Sequence, residues 1–174
     1  NEYGMYTPDI EDIGKLNGKV CPFSNNSKNE IEISSSIFKN IKDIKFHNHI
    51  GYYLDLYAGY VKDINIRENA TSGGITKWIL YNLLKRNMID GVIHVIRKND
   101  TNSLFEYSIG YTKEDIFNGS HSAYYTNNFS EVIHNILNEN NNKKYAFIGV
   151  PCYCKAIRLL CNDNNILKNK SKYV

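Results

Sequence analysis

The sequence has 174 residues, of which 42% are hydrophobic and 22% charged, and its net charge is +3. This length suits one domain with its own core. So small a charge, spread over scattered basic residues, argues against a nucleic-acid partner. No apolar stretch approaches the ~20 residues of a membrane span, and the opening letters NEYGMYTPDIED lack a secretion signal. We therefore expect a cytoplasmic protein with reduced thiols.

The first half of the chain is predicted to form one strand–helix–strand unit. Residues 1–29 read as irregular, and Asn29 or Ser27 is placed to cap a helix near 30–40. Aromatic residues make 49–61 a predicted strand. A helix over 71–87 and a short strand over 90–96 complete a parallel crossover. The apolar face of that helix consists of Ile75, Ile79, Leu80, Leu83 and Leu84.

The second half continues the alternation of strands and helices. Its predicted elements are a strand at 104–111, a capping box at 112–115, a helix at 129–140, a buried strand at 143–150, a helix at 151–161 and the start of a strand at 171–174. These elements predict an α/β fold, in which a mixed, largely parallel sheet is flanked by helices in a single domain.

Two predicted helix starts have the composition of anion-binding turns. Ser72, Gly73 and Gly74 precede the first, where glycines let a ligand approach the backbone and Arg67 supplies a charge. The spacing alone favours a plain N-cap by Ser72 over a phosphate site. The second start follows Gly149 and is treated next.

The second turn, GVPC, places Pro151 at the first helical position and Cys152 in the first turn, where the helix dipole lowers the pKa of a thiol. Cys152 is therefore a candidate nucleophile, redox thiol or metal ligand, or a small residue that packs a tight turn. Cys154 lies on another face of the helix, which argues against a dithiol pair, and Cys161 is predicted to be core. Cys21 lacks the neighbouring cysteines that iron–sulfur clusters need.

Four stretches together resemble the coenzyme F-420 hydrogenase/dehydrogenase beta-subunit family. They are GYYLDLYAGYVKDINIRENATSGGITKWILYNLLKRNMIDGVIHV, GSHSAYYTNNFSEVIHNI, YAFIGVPCYCKAIRLL and YGMYTPDIEDIGKLNGKVCPF. The resemblance implies a flavin enzyme that carries FAD and [4Fe–4S] clusters. It also implies a redox partner protein or ferredoxin-like domain, and a small-molecule substrate or the deazaflavin coenzyme. Some similar proteins belong to polysaccharide biosynthesis.

The resemblance also assigns residues to the cofactor. The flavin phosphates would be lined by Arg67, Ser72, Gly73 and Gly74. The rest of the cofactor would be approached by Ser122, Tyr124, Tyr125, Gly149, Val150, Pro151 and Cys152. Cys152 would lie beside the isoalloxazine ring as the catalytic candidate, rather than act as a covalent nucleophile.

The resemblance divides the chain into an irregular segment at 1–48, with one helix, and a flavin-binding α/β domain at 49–174. The first would link to a ferredoxin-like region, and Cys21 would be the last ligand of a cluster. Cysteine repeats expected upstream and a segment expected after KYV are missing, so we expect a truncated protein. The alternatives are a redox-inactive interaction or accessory domain, and a thiol enzyme that uses Cys152.

Overall fold

The computed structural model describes residues 18–98, 104–119, 125 and 127–174. The helices are α1 (Glu30–Phe38), α2 (Ile64–Glu68), α3 (Ile75–Lys85), α4 (Lys113–Asn118), α5 (Ser130–Asn138), α6 (Pro151–Asp163) and α7 (Asn165–Lys170). The strands are β1 (Lys45–His47), β2 (Gly51–Tyr53), β3 (Gly91–Arg97), β4 (Phe105–Gly110), β5 (Tyr145–Phe147) and β6 (Ser171–Tyr173). None of these helices is both long and apolar enough to cross a bilayer.

Four strands form a mixed sheet in the order β4-β3-β5-β6. The pairs β3–β5 and β5–β6 are parallel, and β3–β4 is an antiparallel pair. Helices α6 and α7 connect β5 to its parallel neighbour β6. The predicted α/β fold with a mixed, largely parallel sheet in a single domain is thus confirmed. The division of the chain after residue 48 stays a prediction.

The predicted crossover that begins with strand 49–61 is wrong. Only β2 is a strand in that stretch, and it pairs antiparallel with β1 in a separate hairpin. The stretch that follows β2 is mostly exposed up to the buried Val61, and Tyr57 is 91% exposed. Aromatic content therefore predicted a strand where no sheet partner is present among the described residues.

Side chains of β3 and β5 alternate between two cores, because successive residues of a strand point to opposite faces. Ile93 and Phe147 face one core, where they pack with α5, α6 and α7. Val92 and Ala146 face the other, where they pack with α3 and α4. The sheet therefore has helices on both faces, and Cys161 lies in the first core as predicted.

The local predictions of helix starts are largely confirmed. Asn29 caps α1, and its side chain accepts a hydrogen bond from the backbone N–H of Glu32. Thr112 and Asp115 form the predicted capping box of α4. The prediction of Ser72 as N-cap is wrong, because Gly74 is the N-cap of α3.

The predicted apolar face of α3 is only half buried. Leu80 is buried, whereas Ile75 and Ile79 are 41% and 46% exposed. The helix packs through its second half against the start of β3, so its first turn extends beyond the core. Helices α2 and α7 and strand β1 were not predicted, since each is too short to show a period.

Candidate functional site

The turn before α3 depends on two glycines. Gly74 has φ +77°, a left-handed conformation that side chains other than glycine rarely adopt. A Cβ on Gly73 would lie 3.2 Å from both the carbonyl oxygen of Gly59 and the Cβ of Tyr60. The N–H of Val61 donates to the carbonyl of Gly73 over 2.9 Å. The chain thus crosses itself here with backbone against backbone.

Arg67 lies beside this turn. Its guanidinium stacks on the ring of Tyr60, 4.1 Å from the centroid, and its Cα lies 3.6 Å from the position of a Cβ on Gly74. The stacked aromatic ring restricts the arginine while leaving its N–H groups available to an anion. The structure therefore brings Arg67, Gly73 and Gly74 together, and their role at the flavin phosphates stays a prediction. Sequence reasoning missed Tyr60. The available signal was an aromatic residue that directly follows Gly59, in the stretch before this turn.

The turn before α6 follows β5 directly. Pro151 occupies the first helical position, as predicted, and Val150 is the N-cap. The Cys154 thiol donates to the carbonyl of Gly149 over 3.5 Å. Cys152 lies one residue into the helix and is half-buried. The predicted turn is therefore present with the geometry that its sequence indicates.

An aromatic cluster covers the inner side of this turn. The centroids of Tyr153 and Phe129 are 5.3 Å apart, and those of Tyr107 and Tyr153 are 5.7 Å apart. A Cβ on Gly149 would lie 2.8 Å from the hydroxyl oxygen of Tyr107, so glycine is needed for this contact. Sequence reasoning missed the three rings, which come from three separate elements.

Burial keeps the groups around this turn neutral. Desolvation raises the pKa of Tyr107 well above its ordinary value, and it also raises the pKa of Tyr153 and of the Cys154 thiol. Tyr153 donates its hydroxyl hydrogen to the backbone carbonyl of Asn127. The wall of the turn is therefore uncharged at neutral pH, which suits a flat, largely neutral ring.

The two turns share a property that most other helix starts lack. No side chain in the described part of the chain caps α3 or α6, whereas side chains cap α1, α2, α4 and α7. Helix α5 is served by Asn128, whose side chain accepts from the N–H of Ser130 over 3.0 Å. In α6, Pro151 has no N–H and the N–H of Tyr153 donates to the carbonyl of Val150 over 2.9 Å. The first N–H groups of α3 and the single N–H of Cys152 in α6 therefore remain suited to bind an anion.

Both helices begin on the side of the sheet where the parallel strands end. Helix α6 begins after the carboxyl end of β5. Near the start of α3, Lys77 donates to the carbonyl of Gly119 over 3.3 Å, and Gly119 lies against His94 in the middle of β3. Farther along α3, Leu80 packs with Val92 at the beginning of β3. In α/β folds, ligands bind in the crevice outside the carboxyl ends of the strands.

The remaining predicted site residues have different outcomes. Tyr125 lies near Phe105, with ring centroids 5.8 Å apart. Ser122 and Tyr124 lie outside the described residues. Cys21 is exposed, and within the described ranges no three His, Cys, Asp or Glu side chains are arranged to hold a metal ion.

Comparison with known proteins gives this geometry a context. Residues 56–134 match the family model for the coenzyme F420 hydrogenase/dehydrogenase beta subunit, N-terminal region. This part of the chain is therefore similar to that family. The matched range includes the turn before α3 but ends before the turn at Gly149.

Two similar proteins are much longer than this chain. An uncharacterized protein of Methanocaldococcus jannaschii is 31% identical over 103 residues, which are 58% of this chain and 28% of the relative. A chain in the xenon-derivatized F420-reducing [NiFe] hydrogenase complex from Methanosarcina barkeri is 24% identical, with a TM-score of 0.53. That match covers 68% of this chain and 44% of the hydrogenase chain. At this identity, the structural match supports the fold.

Proposed function

We propose that this chain is the flavin-binding part of an FAD-dependent oxidoreductase. It would pass electrons between iron–sulfur clusters, FAD and a reducible substrate, such as a deazaflavin coenzyme. The single observation that carries this proposal is the pair of uncapped helix starts at α3 and α6, on the side where the parallel strands end. The match of residues 56–134 to the F420 hydrogenase/dehydrogenase beta-subunit family model supports the redox role.

The turn before α3 would hold the phosphates of FAD. The N–H groups of its first turn and the guanidinium of Arg67 supply positive ends for a pyrophosphate. Gly73 lets the backbone of residues 59 and 60 pack against this turn, which would hold its N–H groups in place for the phosphates. Tyr60 would hold Arg67 in place through the stacked ring. Ser72 would contribute a hydroxyl beside the same phosphates.

The turn before α6 would orient the isoalloxazine ring. Gly149, Pro151 and Cys152 offer backbone and thiol atoms at the end of β5, and Tyr125, with Ser122 and Tyr124, would approach the same part of the cofactor. Bound FAD would supply a carrier that exchanges electrons with both one-electron and two-electron partners. Cys152 would adjust the surroundings of the ring without forming a covalent bond.

The described residues do not fit a [4Fe–4S] cluster. Such a cluster is held by four thiolates, and no site of three or more metal-ligating side chains exists in the described part of the chain. Cys21 would therefore need three further thiolates from residues outside that part. We propose that the clusters belong to a ferredoxin-like domain or partner protein that exchanges electrons with this one in the cytoplasm.

Titration of FAD into the purified chain tests the proposal. We expect saturable binding of about one FAD per chain, and the quenching of FAD fluorescence measures it. Gly73→Ala should weaken binding about tenfold, or about 1.4 kcal/mol, since its Cβ meets the Gly59 carbonyl. Gly59→Ala is the matched control, because a Cβ there meets nothing within 4 Å.

A second pair of variants tests the charge. Arg67→Gln should weaken FAD binding, whereas Arg86→Gln, at the other end of α3, should leave it unchanged. Reduced FAD on the chain should then be reoxidised by added coenzyme F420 under anaerobic conditions. A folded chain that does not bind FAD at saturating concentration would contradict the proposal and favour the accessory-domain alternative.

A further inference from the structure

A groove runs along one edge of the sheet and shares Tyr107 with the wall of the turn before α6. It has a volume of about 550 Å³ and lies between β4 and α5. The residues that line it are Glu106, Tyr107, Ser108, Ile109, Tyr111, Glu131, Val132, Asn135, Asn138 and Glu139. None of the residues assigned to the flavin lines this groove.

The floor of the groove is the backbone edge of β4. Consecutive residues 106–109 all line it, although their side chains alternate between the faces of the sheet. Strand β4 is also the last strand on this side of the sheet, as far as residues 18–98, 104–119, 125 and 127–174 show. The groove therefore presents an edge of main chain rather than one face of the sheet.

The hydrogen-bond pattern identifies which groups face the groove. The N–H of Lys98 donates to the carbonyl of Leu104 over 3.0 Å, and bonded pairs alternate along an antiparallel ladder. From the register, Glu106 and Ser108 then bond to β3, while Tyr107 and Ile109 direct their N–H and C=O groups away from it. The other side of β3 agrees, because the carbonyl of Ile93, opposite Ile109, accepts from β5.

The opposite wall is a stripe of α5. Its lining residues 131, 132, 135, 138 and 139 follow the helical period, so one side of the helix faces the edge of β4 along its whole length. A groove between a helix and a free strand edge has the shape that peptide-binding domains use to add an extended strand. Main-chain bonds give such sites affinity, and the walls give them specificity.

The charge of the groove indicates what kind of segment it suits. Three glutamates line it, without any lysine or arginine. Glu106 pairs with Lys98 over 2.8 Å, and the charge of Lys143 acts on Glu139. The third glutamate, Glu131, lies in the exposed first turn of α5.

We propose that this groove binds an extended peptide segment of another protein, which pairs with β4 and places a lysine or arginine against Glu131. The outward N–H and C=O groups of Tyr107 and Ile109 form the main-chain bonds. This interaction is additional to flavin binding and does not depend on it.

A labelled heptapeptide tests this interaction. The probe has alternating threonine and valine with a central lysine, and its binding is followed by fluorescence anisotropy. We expect saturable binding, at least threefold weaker when the central residue is glutamate. Two isomers of the probe carry N-methyl groups on the backbone amides of one edge of the extended peptide or of the other edge. They distinguish strand pairing with β4 from nonspecific adhesion to the surface. Only one isomer should lose binding, because only one edge of the peptide faces β4.

Matched variants locate the charge. Glu131→Gln should weaken binding of the lysine probe about threefold. Glu114→Gln should not, although it also removes a glutamate from the first turn of a helix. Equal binding of both N-methylated isomers, or absence of binding to the folded chain, would overturn the proposal. A dimer of this chain that excludes the peptide would also overturn it, by identifying a second copy as the occupant.

Discussion

The two ends of α4 differ from the starts of α3 and α6 in how their backbone groups are satisfied. Side chains of the protein itself bind the backbone groups at both ends of α4, and we call such ends closed. Thr112 and Asp115 form a capping box at its start. At its end, Lys77 donates to the carbonyls of Phe117 and Gly119. The starts of α3 and α6 use glycine, valine and proline instead, and no side chain caps them.

This difference separates structural helix ends from candidate ligand sites. A closed end contributes to stability in the isolated protein, since its orphan groups are already paired. At an open end, the backbone groups gain hydrogen bonds only when a ligand binds. Ligand binding would therefore raise the stability of the protein there. Disturbing a closed end should therefore change stability alone, whereas closing an open end should exchange affinity for stability.

The largest effect should come from His94, which packs against Gly119 at the closed end of α4. Its Nε2 is buried and has no hydrogen-bond partner among the residues that the structure describes, and burial lowers its pKa from 6.5 to about 4. The unfolded chain therefore binds this proton at higher pH than the folded chain does. Stability should be complete above pH 6.5 and fall by up to about 3 kcal/mol as the pH drops to about 4.

Urea denaturation across this pH range measures the effect. His94→Asn should remove this part of the pH dependence, whatever its own stability. His49→Asn, at an exposed histidine, should retain it. A wild-type stability that stays constant over the range would contradict the assignment.

Lys170 should give the next largest effect, because it closes the end of α5 from inside the protein. It is 5% exposed, and its Nζ donates to the carbonyls of Ile136 and Glu139 over 2.8 and 2.6 Å. Lys170→Met leaves both carbonyls without this donor and should lower the free energy of unfolding by about 2 kcal/mol. Lys168→Met, at an exposed position on α7, should change it little in the same urea titration.

A smaller loss is expected at the start of α4. Thr112→Ala removes the side-chain acceptor for the N–H of Asp115 and should cost about 1 kcal/mol. Thr112→Ser keeps the acceptor and should be nearly neutral, which thermal denaturation can check. FAD affinity should stay the same in both variants. A Thr112→Ala protein with weakened FAD binding would remove the distinction between closed and open ends.

The smallest change should come from closing an open end. Val150 is the N-cap of α6, is 53% exposed and already has extended backbone angles. Val150→Ser should therefore cap the helix and raise the stability of the flavin-free chain by about 0.5 kcal/mol. It should also weaken FAD binding in the fluorescence titration, because the new hydroxyl competes for the same N–H groups. Val150→Ala controls for the loss of the valine side chain.

The sequence predicted those features that nearby residues decide. Pro151 marks the start of α6, and the letters TKED mark the capping box of α4. The strands β3, β4 and β5 could also be predicted, because their own residues are apolar or alternate in polarity. The prediction failed over 49–61, where aromatic content was as high as in a sheet. Strand pairing depends on residues that are distant in the sequence, and among the described strands β2 pairs with β1 alone.

The sequence by itself determined the α/β class, most helix starts and the two glycine-bearing turns, because caps and periodicity act over a few neighbouring residues. Only the tertiary structure decided that Tyr60 stacks on Arg67, that Lys170 closes α5 and that β4 ends the described sheet beside a groove. Each of these joins residues from different elements. Their contact depends on how the sheet and its two helical layers pack. This packing cannot be predicted from patterns of neighbouring residues.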